Sequence, residues 1–188
     1  MRKLIYVLVL VCSQIAHGEE AYTQALNELV NSTVVKIVNN PVLQSSVKAQ
    51  NDKHATLSQT SIDDLDKKWR AESAASDKPL ISNVLSNKLS KYLLQVKEES
   101  QGLFTEIFVM DNKGLNVGQS DVTSDYWQGD EAKWQKTFSV GAGAVHISDV
   151  SKDESTQEIQ VQLSVAVSDV DGGAVIGAIT LGINLDNL

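Results

Sequence analysis

The sequence predicts an α+β fold in which helices come first and a sheet follows. Over residues 19–102 the apolar side chains recur every three or four positions, the spacing of amphipathic helices. Over residues 103–188 apolar and polar side chains alternate, which is typical of strands with one buried face. Turn sequences at 111–114 and 171–173 punctuate that second part. We therefore expect a five-stranded antiparallel sheet with a long N-terminal helix packed on one face.

The first residues predict a secretory signal rather than part of the fold. Arg2 and Lys3 precede the apolar run Leu4–Val11, and small residues lead up to Gly18. The apolar run is shorter than the roughly 18 residues that a membrane-spanning helix needs. We expect cleavage after Gly18, which leaves residues 19–188 as a single exported domain. Retention of the segment as an uncleaved anchor is the alternative.

Composition excludes several classes of function. Cys12 leaves with the signal, and the remaining chain has no cysteine for a disulfide, a thiol nucleophile or a zinc–thiolate site. The full chain has a formal charge of -8, which argues against nucleic acid as a partner. Arg70 is the only arginine after the signal, so a bound carboxylate would be held by lysine, backbone amides or hydroxyls.

The helical part divides at its polar segments. A long helix is predicted over 26–38, with Pro41 well placed to begin the next helical piece. Asn51–Thr60 is polar and is interpreted as a loop, and a short helix follows over 62–69. The clearest apolar stripe of the protein then predicts one continuous helix over Ile81–Val96.

The alternating part predicts a sheet whose two faces differ. Its strands are expected at Leu103–Met110, Leu115–Gln119, Ser139–Val150, Glu158–Val170 and Ala174–Asn184. Between 159 and 168 the odd positions are all branched apolar residues, whereas the even positions are glutamine, serine and alanine. We expect the apolar face to pack the long helix and the small-residue face to leave a volume above it. A solvent-facing surface would tolerate the same polar residues and is the alternative.

The segment 125–138 concentrates aromatic residues in a polar loop. Tyr126, Trp127 and Trp134 are interpreted as a lid over the small-residue face, since aromatic side chains around a few polar groups suit small-molecule sites. Each of them would instead be core if it packs locally. Lys133 is the candidate partner for a ligand carboxylate.

Further candidate contacts come from the strands beside that loop. His146 and Ser148 share one strand face, and Asp149 lies on the other face or at the end of the strand. Ser164 belongs to the small-residue face of the next strand. A hydrogen-bonded structural role is the alternative for His146. The acidic clusters lack the spacing of a calcium loop, and His54 and His146 lie far apart in sequence, so no metal or cofactor is predicted. No catalytic motif is present, and no catalytic residue is predicted.

The order of these elements resembles the extracytoplasmic PAS-like sensor domains of bacterial receptors, known as Cache or PDC domains. The residues that carry the resemblance are FVMDNKG at 108–114, KWQKTF at 133–138, HISDV at 146–150 and the last strand region at 168–185. The resemblance implies a small ligand, such as a carboxylate or an amine, held between the sheet and the loop after the second strand. It also implies sensing rather than catalysis.

The sequence departs from the amino-acid-binding members of that family. Trp134 matches their tryptophan, but Ala132 stands in the position of their arginine and Gln135 in that of their tyrosine. Gly182 occupies the place of their final-strand aspartate. The resemblance therefore does not carry over their amino-acid clamp.

The partners follow from the resemblance and from the chain's end at Leu188. We expect a periplasmic sensor that signals in trans to a membrane receptor, kinase or cyclic-dinucleotide enzyme. The helix Ala21–Asn39 would be the surface for that partner or for a homodimer. The alternatives are a protein-interaction module with a filled pocket and a ligand carrier for a transporter.

Overall fold

A computed structural model describes residues 22–152 and 159–188. The expected signal segment 1–18, with Cys12, lies outside the described residues. Across the two described ranges, no helix has both the length and the apolar character needed to cross a membrane. The helices there are α1 (22–38, with a π-helical turn at Val30–Val34), α2 (Pro41–Lys53), α3 (Gln59–Ser73), α4 (Pro79–Leu85), α5 (Lys88–Glu99) and α6 (Ala132–Gln135).

The strands form one antiparallel sheet in the order β2-β1-β6-β5-β3. They are β1 (Phe104–Met110), β2 (Asn116–Gln119), β3 (Val145–Ile147), β4 (Ser151–Lys152), β5 (Ile159–Ser168) and β6 (Val175–Asn184). The two-residue strand β4 pairs with β5 beside the main path of five strands. The expectation of an α+β fold with a five-stranded antiparallel sheet is confirmed.

The main core lies between the inner face of the sheet and the helices. The alternation in β5 places Val161, Leu163 and Val167 on this face, and each is fully buried. Side chains of three helices complete the core, namely Leu26, Val34, Ile37, Leu43, Val47, Leu89 and Leu93. Gly118 of β2 lets Leu89 pack directly on the strand, because a Cβ there would lie 2.7 Å from the leucine Cγ.

A second, smaller core joins α3 and α4 to the loop that follows β2. Trp69 is fully buried and stacks on Tyr126 with 5.3 Å between ring centroids. Its indole Nε1 donates a hydrogen bond of 2.8 Å to the carbonyl of Thr123. The Tyr126 ring therefore packs on the helices, while its backbone carbonyl accepts a hydrogen bond of 3.0 Å from the Asn116 amide of β2.

The prediction of one helix over Ile81–Val96 is wrong. Helix α4 ends at Leu85 and α5 begins at Lys88. Asn87 separates them because its side chain caps α5, accepting a hydrogen bond of 2.8 Å from the Ser90 backbone amide. The apolar spacing continues across this break, since both helices bury one face, so periodicity alone did not reveal it.

Two further boundaries differ from the prediction. The segment Ser139–Val150 forms a strand only at Val145–Ile147, because Gly141 and Gly143 have positive φ values of 122° and 78° and turn the chain before it. The predicted loop Asn51–Thr60 is shorter than expected, since α2 extends to Lys53 and α3 begins at Gln59.

Candidate ligand-binding site

Most side chains on the outer face of the sheet are small or polar, and they lie in cross-strand rows. One row joins Phe108, Thr180, Ser164 and His146 on four neighbouring strands. The next row joins Glu106, Gly182 and Gln162. Because side chains alternate along a strand, all of these residues face away from the main core.

The last part of the aromatic loop covers one end of this outer face. Trp134 and Phe138 stack with 4.8 Å between ring centroids and 22° between ring planes. They pack against Phe108, Met110 and Ala178 of the sheet. The indole Nε1 of Trp134 donates a hydrogen bond of 3.1 Å to the carbonyl of Asp111. Trp134 thus anchors α6 to the turn between β1 and β2.

Beside this cover lies a cavity of about 200 Å³ between the outer face and the loop after β2. Its position is the one that the sequence resemblance implies. Of the residues that the sequence predicts as ligand contacts, Lys133 is the one that lines this cavity. The complete lining consists of Glu106, Phe108, Val122, Thr123, Ser124, Gln128, Lys133 and Gln162.

The Lys133 side chain lines the cavity, and its positive charge is already paired within the protein. Its Nζ lies 2.9 Å from Glu131 Oε2 and donates to Gln128 Oε1 at 3.2 Å. The same ammonium lies 5.4 Å from the centroid of the Phe108 ring, within the range of a cation–π contact. Only 14% of the Lys133 side chain is exposed. A ligand carboxylate would therefore compete with Glu131 for this lysine.

Glu106 presents the second charge of the cavity. Its Oε1 accepts a hydrogen bond of 2.9 Å from Gln162 Nε2. Among the side chains that the structure describes, those of residues 22–151 and 159–188, no lysine, arginine or histidine forms an ion pair with this carboxylate. Gly182 lies directly opposite in β6, and a Cβ there would lie 2.9 Å from Glu106 Cγ. The glycine therefore gives Glu106 room to lie across the neighbouring strand.

Two buried polar atoms without a partner lie close to the Thr123 wall of the cavity. In the described part of the chain, neither Asn116 Oδ1 nor Gln119 Nε2 has a hydrogen-bond partner. Asn116 Nδ2 donates to Thr123 Oγ1 at 2.8 Å, and Gln119 Oε1 lies 3.3 Å from the same hydroxyl. This wall therefore has one acceptor, Asn116 Oδ1, and one donor, Gln119 Nε2, that no described group pairs with. Such unpaired buried polar groups are rare in proteins.

Tyr126 and Trp127 lie away from the cavity. Tyr126 is 4% exposed in the smaller core, and burial, with a contribution from Asp111, raises the pKa of its phenol well above the ordinary value. Trp127 donates from Nε1 to the Lys113 carbonyl at 2.8 Å. The carboxylate of Asp66 accepts hydrogen bonds from both backbone amides, at 2.9 and 3.1 Å. Neither aromatic ring lines the cavity, and the proposal below does not use them as ligand contacts.

The other predicted contacts lie farther along the outer face, and none lines the cavity. The Ser164 and Thr180 hydroxyls lie 3.0 Å apart and are fully buried. Ser148 Oγ accepts from the Gln162 amide at 2.9 Å, and Asp149 is exposed. His146 is partly buried, and burial lowers the pKa of its imidazole.

The sequence interpretation missed the polar residues that line the cavity with Lys133. Glu106 and Gln162 were available from alternation, because they share their strand faces with Phe108 and Ser164. Gln128 lies in an irregular loop, where no periodicity identifies the direction of a side chain.

Asp111 connects the cover of the cavity to the helices. Its carboxylate Oδ2 lies 2.9 Å from His54 Nδ1 and accepts from Gln50 Nε2 at 3.0 Å. Its Oδ1 accepts from two backbone amides of its own turn, and its carbonyl accepts from Trp134. The carboxylate is fully buried. One residue therefore contacts α2, the β1–β2 turn and the aromatic cover.

A second cavity, of about 270 Å³, lies at the beginning of α2. Its polar groups are satisfied: Gln44 Nε2 donates to the carbonyls of Val38 and Ser168, and Lys48 pairs with Asp169 at 2.6 Å. The smaller cavity is the better candidate because Glu106 there forms no ion pair with any described side chain. In the described ranges no group of three or more metal-ligating side chains is placed to hold an ion.

No protein-family model and no curated protein matches this sequence. Three solved structures similar to the chain are sensor domains. The ligand-binding domain of a Campylobacter jejuni chemoreceptor, in complex with 4-methylisoleucine, is 13% identical with a TM-score of 0.41 over 88% of this chain and 61% of that one. The sensor domain of the V. cholerae histidine kinase DctB is 17% identical with a TM-score of 0.38, over 89% and 58%.

The third is the ligand-binding domain of the Pseudomonas aeruginosa amino acid chemoreceptor PctC in complex with GABA. It is 15% identical with a TM-score of 0.41, over 86% of this chain and 62% of that one. The chain thus spans about three fifths of the length of these domains. They are ligand-binding or sensor domains of two chemoreceptors and a histidine kinase, and likeness at this level assigns no ligand or partner.

Proposed function

We propose that this chain is a non-catalytic sensor domain that binds a small polar molecule in the cavity between Glu106 and Lys133. The observation that carries the proposal is a cavity between the outer sheet face and its covering loop, lined by two charged and several polar side chains. At about 200 Å³ it is smaller than the roughly 300–1,000 Å³ of sites for drug-sized ligands, so the ligand is a small metabolite.

The proposed signal passes from the cavity to the helices through α6. Lys133 and Trp134 are consecutive residues of α6, so a ligand that moves the lysine also acts on the indole and on its bond to Asp111. The Asp111 carboxylate in turn contacts Gln50 of α2 and His54, the residue that directly follows that helix. A ligand shifts this arrangement only as far as it binds one state more tightly than the other.

The cellular setting of this sensor is part of the same proposal. Residues 19–188 would form one domain in the periplasm after cleavage behind Gly18. The domain would act on a separate membrane receptor, kinase or cyclic-dinucleotide enzyme. The N-terminal helix is the proposed surface for that partner or for a second copy of the chain.

One observation favours a protein-interaction module instead. Tyr126, Trp127 and Trp134 are all packed against protein and hydrogen-bonded or stacked, as the filled-pocket alternative expects. Under that alternative the cavity beside Lys133 has no ligand, and compounds would not stabilise the chain.

Ligand-dependent thermal stabilisation of the full chain distinguishes the sensor domain from the protein-interaction module. The panel would contain amines, carboxylates, amino acids and nucleosides. A compound present at a hundredfold excess over its Kd should add about 2.7 kcal/mol to the free energy of unfolding. No stabilisation by any compound would favour the interaction module.

Two exposed valines supply matched variants for that test. Val122 is 49% exposed and lines the cavity, whereas Val140 is 70% exposed and does not. Val122→Trp should obstruct the cavity and remove the stabilisation, and Val140→Trp should retain it. Equal stabilisation of both variants would place the bound compound elsewhere.

A further inference from the structure

We propose that the ligand carries a positive charge and that Glu106 recognises it, so that the site selects amines over carboxylates. This inference rests on the proposed function, because it names the chemistry of the same cavity. Its basis is the difference between the two ionisable side chains that line the cavity, Glu106 and Lys133.

The charge of Lys133 is compensated within the protein. Glu131 lies 2.9 Å from its ammonium, Gln128 accepts from it, and the Phe108 ring lies beneath it. A carboxylate ligand would have to displace these partners, and it would also approach the negative charge of Glu106. Both effects oppose an anionic ligand.

No described side chain forms an ion pair with Glu106. Its only described hydrogen bond is the one from Gln162 to Oε1, which leaves Oε2 without a protein donor in the described ranges. An ammonium group would supply both the missing donor and the missing counter-charge. Charge-assisted hydrogen bonds of this kind are roughly twice as strong as neutral ones.

Neighbouring residues also fix the orientation of the Glu106 carboxylate. Gly182 allows its side chain to lie over β6, and Gln162 holds one carboxylate oxygen from β5. Both neighbours belong to regular strands, so the carboxylate is oriented before a ligand arrives. Preorganised groups bind more tightly because less ordering is needed on association.

Glu106→Gln is the direct test, since it removes the charge and keeps the size and an oxygen that accepts from Gln162. The probes are ethanolamine, choline and putrescine as cations, and acetate, lactate and succinate as anions, titrated by calorimetry against the full chain. The amine bound by the wild type should lose about tenfold or more in affinity in this variant.

Glu131→Gln is a second variant, because it removes the counter-charge of Lys133 and keeps Glu106 intact. It should improve carboxylate binding by freeing Lys133, and it should weaken amine binding less than Glu106→Gln does, because Glu106 remains charged. Circular dichroism establishes that both variants remain folded, which is expected since both side chains are partly exposed.

The outcomes separate this inference from the proposed function. Equal amine affinity in the wild type and in Glu106→Gln would overturn the assignment of Glu106. Binding of a carboxylate that is lost in Lys133→Met would overturn the cationic ligand, but it would leave a ligand-binding site in place. Binding of no probe, together with identical behaviour of Val122→Trp and Val140→Trp toward the wider panel, would overturn both.

Discussion

The two faces of the sheet are formed by the same strands but differ in their side chains and in what packs on them. On the inner face, Val161, Leu163 and Ile179 are fully buried against helices and leave no polar atom to satisfy. On the outer face, the intervening positions hold Ser164 and Thr180, which are equally buried but pair with each other. Alternation along single strands therefore separates a hydrophobic core from a polar surface that the loop after β2 covers.

This difference shows where stability and specificity are located. Apolar contacts on the inner face supply most of the free energy of folding, because it scales with the apolar area removed from water. The outer face contributes less per residue, since each polar group there must find a partner. A cavity can form beside Glu106 because the outer face is not tightly packed with apolar side chains.

The largest expected effect is on the inner face. Leu163→Ala should lower the free energy of unfolding by about 2–5 kcal/mol, because it removes buried methyl groups and leaves a void. Ile159 lies on the same face of the same strand but is 43% exposed, so Ile159→Ala is the control and should change stability much less. Urea denaturation measures both, and equal losses would contradict the assignment of the core to one end of β5.

A smaller effect is expected on the outer face. Ser164→Ala should cost about 1 kcal/mol, because the buried Thr180 hydroxyl loses its partner at 3.0 Å. The double variant Ser164→Ala with Thr180→Val should be no less stable than the single one, since both polar groups are then gone. Fully additive losses in urea denaturation would show that the two hydroxyls do not depend on each other.

The regular part of this architecture could be predicted from sequence. Period-two alternation identified both faces of β5 and β6, and the turn at 111–114 identified the β1–β2 hairpin. These features depend on local patterns that repeat along the chain. The break between α4 and α5 was missed, because a single capping residue, Asn87, has no periodic signature.

The directions of the side chains in the irregular loop could not be predicted from sequence. Tyr126 and Trp134 are eight positions apart in one polar segment, yet the first packs on Trp69 and the second on Phe138. The direction of each ring depends on tertiary partners, such as Asp66 and Asp111, that are remote in sequence. The pairing of Lys133 with Glu131 is likewise a property of the folded loop, so the lysine's charge alone pointed to a carboxylate ligand.

The smallest expected effect lies at the edge of the outer face, where His146 continues the row of Ser164 and Thr180. Burial lowers the pKa of its imidazole, with a contribution from Lys136, against an ordinary value of about 6.5. The unfolded chain then binds the proton more readily than the folded one, so this contribution to stability is present above about pH 6.5 and is lost as the pH falls through the folded pKa.

An NMR titration of the imidazole signals checks this directly, with His146→Gln to assign the resonance. We expect a midpoint below 6.5, together with a slightly weaker dependence of stability on acid in the variant. A midpoint above the ordinary value would mean that Asp149, which favours the charged form, outweighs burial and Lys136. A midpoint at the ordinary value would place this end of the row in solvent and confine the polar, loop-covered part of the outer face to the strands nearer Glu106.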